Sequence, residues 1–337
     1  MSSVHTTEDK AARLRKKYDK FRILIVGRAN AGKTTILQRV CNTTDDPVVY
    51  DAEEKEVDPS VLASSRDRGL HDIENVLVFK SNPGFRFHDS RGFESGGASE
   101  LDKVKAFIDS RSKHDSLQDR LHAIWYCIPL SDSRPFTTAE YQFFSDGSTG
   151  DVPIIAIFTK FDALEDKAFG ELTDEGKSEN EAKEFASERA VTTFEQAYLK
   201  LLYGQPYPPK AHVYLSDMNM EGADCGDLIE QTAKSLNDRV LQQLFVSTQR
   251  NNMKVCIKYA LKWYVCTPWC QEHLGAIYRA ALLRVEQKAN SNASELHQVA
   301  SKEVRGEMMA DMLQWFPQCY GVREDSFGLT FTITRDY

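Results

Sequence analysis

Phe21-Arg22-Ile23-Leu24-Ile25-Val26-Gly27-Arg28-Ala29-Asn30-Ala31-Gly32-Lys33-Thr34-Thr35 is the stretch from which the rest of the chain is read. Its four consecutive aliphatics, Ile23, Leu24, Ile25 and Val26, have the pattern of a strand buried on both faces. Gly27 and Gly32 bracket a loop, Lys33 and Thr34 close it, and Ile36-Leu37-Gln38-Arg39-Val40 begins a helix. A G-x4-G-K-T loop between a strand and a helix predicts a nucleoside triphosphate site. Glycines let backbone N–H groups approach phosphate oxygens, and the helix N-terminus adds partial positive charge. Gly27, Arg28, Ala29, Asn30, Ala31, Gly32, Lys33, Thr34 and Thr35 are therefore expected to line the phosphates. Lys33 would reach the β- and γ-phosphates as a point charge with a catalytic role, and the Thr34 hydroxyl would be a ligand for Mg²⁺.

Downstream of the loop, strand and helix patterns alternate. Residues 43–68 read as acidic and irregular, with Asp45-Asp46-Pro47 and Asp58-Pro59-Ser60. Ile73-Glu74-Asn75-Val76-Leu77-Val78-Phe79 alternates as a strand and Phe85-Arg86-Phe87-His88 as the next, with Pro83-Gly84 turning between them, so the pair is expected to be antiparallel. A helix is expected over about 100–111, buried strands over 122–129, 152–158 and 211–215, and a helix near 227–246. Residues 163–195 are rich in Glu, Asp and Lys and read as an insertion with a solvated helix. The alternation predicts an α/β fold built on a doubly wound sheet, mostly parallel with one antiparallel edge strand.

The rest of the chain frames that domain, placed at 21–246. Residues 1–20 form a polar lead-in with Arg13, Arg15, Lys16, Lys17 and Lys20, either a solvated helix or a basic amphipathic one. Residues 247–337 read as a mainly helical extension, with an amphipathic face at Leu274, Ile277, Tyr278, Ala281, Leu282 and Val285. Phe327, Leu329, Phe331 and Ile333 alternate with Gly and Thr as a terminal strand would. Composition places the 337-residue chain among soluble proteins, at 41% hydrophobic and 27% charged, and the net charge of −8 argues against general nucleic-acid binding. Met1-Ser2-Ser3-Val4-His5 carries no apolar run and no segment reaches membrane-spanning length, so a cytoplasmic protein is expected. The seven cysteines lack framework spacing and read as reduced, buried thiols; Cys266, Cys270 and His273 lack a clear fourth ligand for zinc.

Two further stations point to the base and the metal. Asp89-x-x-Gly92 falls at a predicted strand end, where the carboxylate would hold Mg²⁺ through water and the Gly92 amide would meet the γ-phosphate. Thr159-Lys160-x-Asp162 falls at another. Guanine presents N1–H and an exocyclic amine, two donors for the Asp162 carboxylate, whereas adenine would leave that carboxylate buried and unpaired at about 1–3 kcal/mol. The Lys160 stem would cover the base plane, and Ser216 stands either where a backbone amide meets the guanine oxygen or in a solvated turn.

Residues 27–34, 89–92 and 159–162 resemble the three principal motifs of the translation-factor/Ras-type GTPase class. More closely, Arg68-Gly69-Leu70-His71-Asp72-Ile73-Glu74, Phe87-His88-Asp89-Ser90-Arg91-Gly92-Phe93-Glu94 and Leu121-His122-Ala123-Ile124-Trp125-Tyr126-Cys127-Ile128-Pro129 resemble a fungal family of G-domain-containing proteins, over about residues 20–245. The resemblance implies GTP and Mg²⁺. Two departures qualify it. The class places a Thr in its first switch, and no Thr occurs between Asp45 and Phe136; Ser60, Ser64 or Ser65 would substitute, with Ser65 or Ser64 favoured as the metal ligand because they adjoin the second strand. Phe93 follows Gly92 where Ras-like proteins carry the Gln that orients the attacking water, so hydrolysis is expected to be slow.

Arg91 is a candidate internal finger toward the phosphates, or else pairs with an acid such as Glu94; His88, one residue before Asp89, should face the other way as a structural group. Asn30 resembles the Asn of potassium-stimulated GTPases, or simply tolerates a tight loop. The expected function is a Mg²⁺-dependent GTP-binding switch with slow hydrolysis, acting through self-association or a protein effector. The rival is a non-hydrolysing GTP-dependent assembly module.

Overall fold

A computed structural model of the chain describes residues 20–57, 72–90, 98–132, 134–147, 149–223 and 225–248. The lead-in through residue 19, Ser60, Ser64, Ser65, Arg91, Gly92, Phe93, the Cys266–Cys270–His273 group, the extension helices and the terminal strand at 327–334 lie outside the described residues.

Every residue of strand β1 (Phe21–Gly27) is buried, as its unbroken apolar run requires of a central parallel strand. The other strands are β2 (Val48–Tyr50), β3 (Val76–Val78), β4 (Phe85–Asp89), β5 (Ala123–Pro129), β6 (Ile154–Thr159) and β7 (Ala211–Leu215). Among the described residues they form one sheet in the order β2-β3-β4-β1-β5-β6-β7. β1 pairs in parallel with β4 and β5, and β6 joins β5 and β7 in parallel. β3 is antiparallel to both of its neighbours. The hairpin of β3 and β4 is as expected, but the antiparallel strand stands one place in from the edge. β2, within a segment read as irregular, pairs outside it through Val48↔Val78 and Tyr50↔Val76. Three residues are too few for alternation to register, and acidic neighbours mask them.

Parity along the strands sorts the core into two layers. Leu24 and Val26 of β1, Ile124, Tyr126 and Ile128 of β5, and Ile154, Ala156 and Phe158 of β6 share one cluster. That cluster includes residues of helices α2 (Ala98–Ser112), α3 (Thr138–Phe143), α4 (Asp162–Asp174), α5 (Glu179–Phe194) and α6 (Lys200–Tyr203). On the alternate parity, Phe21 packs on Phe245, with ring centroids 4.8 Å apart, and Trp125 donates to the Thr232 hydroxyl at 3.0 Å. Thr232 and Phe245 belong to α7 (Gly226–Ser235) and α8 (Arg239–Thr248). Helices thus cover both faces of a mostly parallel sheet, the arrangement expected of an α/β protein.

Two helical expectations change. The segment at 163–195 is not one solvated helix: α4 buries Leu164, Ala168 and Leu172, and α5 buries Ala182, Ala186, Ala190 and Phe194. Alanines four apart form a stripe that lets helices approach closely yet carries little hydropathy among Glu and Lys. The helix expected over 227–246 is two, because Leu236 adopts an extended backbone (φ −75°, ψ 117°) and the Asp238 carboxylate accepts from Leu241 N at 3.0 Å to start the second. No helix among the described residues is long and apolar enough to cross a membrane.

Candidate functional site

The carboxyl ends of β1, β4, β5, β6 and β7 are in register along one rim of the sheet. Ile25 stands opposite Asp89, Gly27 opposite Cys127, Pro129 opposite Thr159, and Thr159 opposite Leu215. Chain order reverses across β1, since β4 lies on one side and β5 on the other. In open α/β sheets such a reversal opens a crevice at the strand ends.

The first loop leaves β1 at Gly27, whose φ of 149° and neighbour leave room for no side chain: a Cβ there would lie 2.3 Å from the Cys127 carbonyl oxygen. Asn30 at φ 58° and Gly32 at φ 77° are both left-handed, so Asn30 takes the tight-loop conformation anticipated for it, with its side chain exposed. Helix α1 (Lys33–Val40) follows Gly32 directly and buries Ile36, Leu37 and Val40. The Lys33 ammonium folds back over the loop, donating to Arg28 O at 3.2 Å and Gly27 O at 3.4 Å. Thr34 is exposed in the first turn, and Ala29 is exposed in the loop. The Arg28 side chain is 7% exposed and commits to Glu140 of α3, so the contact expected of this residue would be made by its backbone amide. Burial works against the Arg28 charge, but hydrogen bonds and charge from Glu140 and Asp132 outweigh it and hold the guanidinium above its ordinary value.

Asp89 ends β4 on this rim. Its Oδ1 is buried without a hydrogen-bond partner, and burial pushes the carboxyl up to about 6 although the Lys33 ammonium pulls it down. The neighbouring Ser90 hydroxyl and the Thr159 hydroxyl at the end of β6 are also buried and unpartnered. Three orphaned oxygens around one rim are uncommon, since buried polar groups almost always find partners. His88 is buried one position earlier. Arg22 Nη1, always a donor, lies 3.2 Å from His88 Nε2, so Nδ1 carries the proton and donates to Ile73 O at 2.9 Å. Burial drives His88 down to about 3, so it is neutral and structural, as its strand parity predicted.

The loops after β6 and β7 are tied together. Phe161 N donates to Leu215 O at 3.1 Å, and the half-buried Asp162 carboxylate accepts from Asp217 N at the same distance. Lys160 at φ 57° and Asp217 at φ 50° shape the two turns, and Ser216 is half-buried between Leu215 and Asp217. Arg39 of α1 reaches the same region, donating to Met218 O at 3.0 Å and Met220 O at 2.9 Å. The structure therefore brings Gly27, Lys33, Thr34, Asp89, Thr159, Lys160, Asp162 and Ser216 to one sheet rim, on loops that brace one another.

Among the described residues no group of three or more His, Cys, Asp and Glu side chains converges as a metal cage. A cation here would be held by Asp89 and Thr34 together with ligand oxygens, which is how Mg²⁺ is commonly bound beside phosphates. Sequence reasoning missed Glu140, whose only local signature is a capping box with Thr137. No protein-family model matches the chain, and no curated protein matches it.

Proposed function

We propose that the chain binds GTP with Mg²⁺ and hydrolyses it slowly to GDP and phosphate, working as a nucleotide-dependent switch. The observation that carries this reading is the buried, unpartnered Oδ1 of Asp89, on the same rim as a loop with left-handed Asn30 and Gly32 and its lysine. A buried acid without a partner is costly, and a metal-bound water on its Oδ1 would remove that cost.

Each residue then has a task. The amides around residues 28–35 cradle the α- and β-phosphates, and Lys33 turns from its loop carbonyls toward the β/γ bridge. Thr34 and Asp89 are the residues that would hold the cation. Bound Mg²⁺ neutralises charge that develops on the phosphate oxygens during transfer. Asp162, with one lone pair on Asp217 N, keeps acceptor capacity for guanine N1–H and the 2-amine. Lys160 lies along the base, and the Ser216 amide faces the guanine oxygen. Arg91 is the proposed internal cation for the γ-phosphate, Gly92 its amide donor and Ser65 the switch ligand to the metal. Slow turnover follows from Phe93, which cannot orient water.

The test is base exchange. Asp162→Asn should weaken GTP and favour xanthosine triphosphate, whose 2-oxo group accepts from the new amide. Unchanged GTP affinity in that variant overturns the guanine assignment. Phe93 and the missing switch Thr favour a second reading, a GTP-dependent assembly module without hydrolysis, and a single-turnover measurement on purified protein separates the two.

A further inference from the structure

Arg28 occupies the first variable position of the loop, yet its guanidinium has no donor left for a ligand. Nε and Nη2 grip the two Glu140 carboxylate oxygens at 2.7 Å each. Nη1 lies 3.1 Å from Arg134 O and 3.0 Å from Asp132 Oδ2, and Nη2 donates to Pro135 O at 3.1 Å. Five N–H groups thus meet five acceptors. The main chain of the same residue does the opposite work: Arg28 O accepts from Ala31 N at 3.3 Å and from the Lys33 ammonium at 3.2 Å. One residue is anchored outward by its side chain and organises the loop inward by its carbonyl.

We propose that Glu140 is a positioning residue, which fixes the phosphate loop and the resting place of Lys33 through Arg28. Glu140 is itself 1% exposed, and its carboxylate also accepts from Thr137 N, so the anchor cannot drift. Buried ion pairs add little to stability over an apolar pair of the same volume. A fixed fork geometry 112 residues away in sequence supplies instead a defined loop conformation before any ligand arrives. The proposal rests on the nucleotide reading above. It adds that affinity for the phosphates, and not for the base, depends on a group that touches neither.

The experiment titrates guanosine, GDP and GTP into wild-type protein, Glu140→Gln and Arg28→Lys, well below each protein's melting temperature. Glu140→Gln keeps the shape and loses the charge; Arg28→Lys keeps the charge and loses the fork. Both should bind GDP and GTP about ten- to a hundredfold more weakly while guanosine affinity stays at the wild-type value. Asp132→Asn, on a side chain 27% exposed, should show the same pattern at smaller amplitude and serves if the core variants do not fold. Wild-type GTP affinity in folded variants overturns the proposal, as does an equal loss for guanosine, which would mark general loosening. A wild-type protein that binds neither GDP nor GTP overturns the nucleotide reading itself, and the two failures are distinct.

Discussion

Asp89→Asn should stabilise the ligand-free protein and remove its response to Mg²⁺ and GTP. The folded carboxyl titrates at about 6 against an ordinary 3.8, raised first by burial. At 1.36 kcal/mol per pKa unit, a difference of about 2 units is about 3 kcal/mol. Because the folded value is raised, the folded state holds the proton where the unfolded chain has released it. Stability from this group is intact below pH 3.8, falls as pH rises toward 6, and is fully lost above that. Asparagine keeps the shape and never ionises, so the variant's advantage should be only about 0.5 kcal/mol at pH 4 and reach about 3 kcal/mol at pH 7.5. For a domain of this size that is roughly 6–12 °C in Tm. The assay is urea unfolding across pH 4–8 in chelator without nucleotide. Buried His88 and His122, lowered by burial to about 3 and about 4, weaken both proteins alike as pH falls from 6.5, so the difference profile isolates Asp89. With GTP and Mg²⁺ added the order should invert, wild type alone gaining stability. A variant no more stable than wild type at pH 7.5 in chelator would refute the reasoning.

Lys33→Ala should lower GTP affinity or turnover by about two orders of magnitude, and wild-type values for both would show that this loop is not the working site. Gly27→Ala forces a Cβ to within 2.3 Å of Cys127 O at φ 149°, and should cost about 3 kcal/mol in urea unfolding; a loss below 1 kcal/mol would mean that β1 and β5 separate easily. Tyr126→Phe removes a hydroxyl that is fully buried with no partner, so stability should hold or rise by about 1 kcal/mol. A clear loss there would reveal a hidden acceptor.

The parts of the fold and site that were legible in sequence are those whose signal is local. Ile23 to Val26 and the run from Ala123 to Ile128 read as buried strands because both faces are apolar. Gly27, Lys33, Asp89 and Asp162 are legible as candidates because each motif sits within a few residues of a strand end. What escaped depends on distance or on small side chains. The pairing of Arg28 with Glu140 escapes because an ion pair between residues remote in sequence leaves no periodicity. The alanine face of α5 vanishes beneath its Glu and Lys, while the break at Leu236 hides between two amphipathic helices. β2 gains its identity from β3 rather than from its own three residues.

The adjacent pair His88 and Asp89 has a consequence for how the chain finds its native alignment. Side chains alternate along β4, so sliding it one residue against β1 would exchange the two. The carboxylate would then meet the Phe107 ring, on which the His88 ring now packs with centroids 4.8 Å apart, and the imidazole would fall into the core position of Phe87 on the other face. An acid buried against an aromatic face is strongly disfavoured, and Arg22 would lose the imidazole nitrogen it donates to. The misaligned sheet is thus penalised at the moment of pairing by the very group proposed to serve the site, so one carboxylate both sets the alignment of β4 and supplies the candidate site.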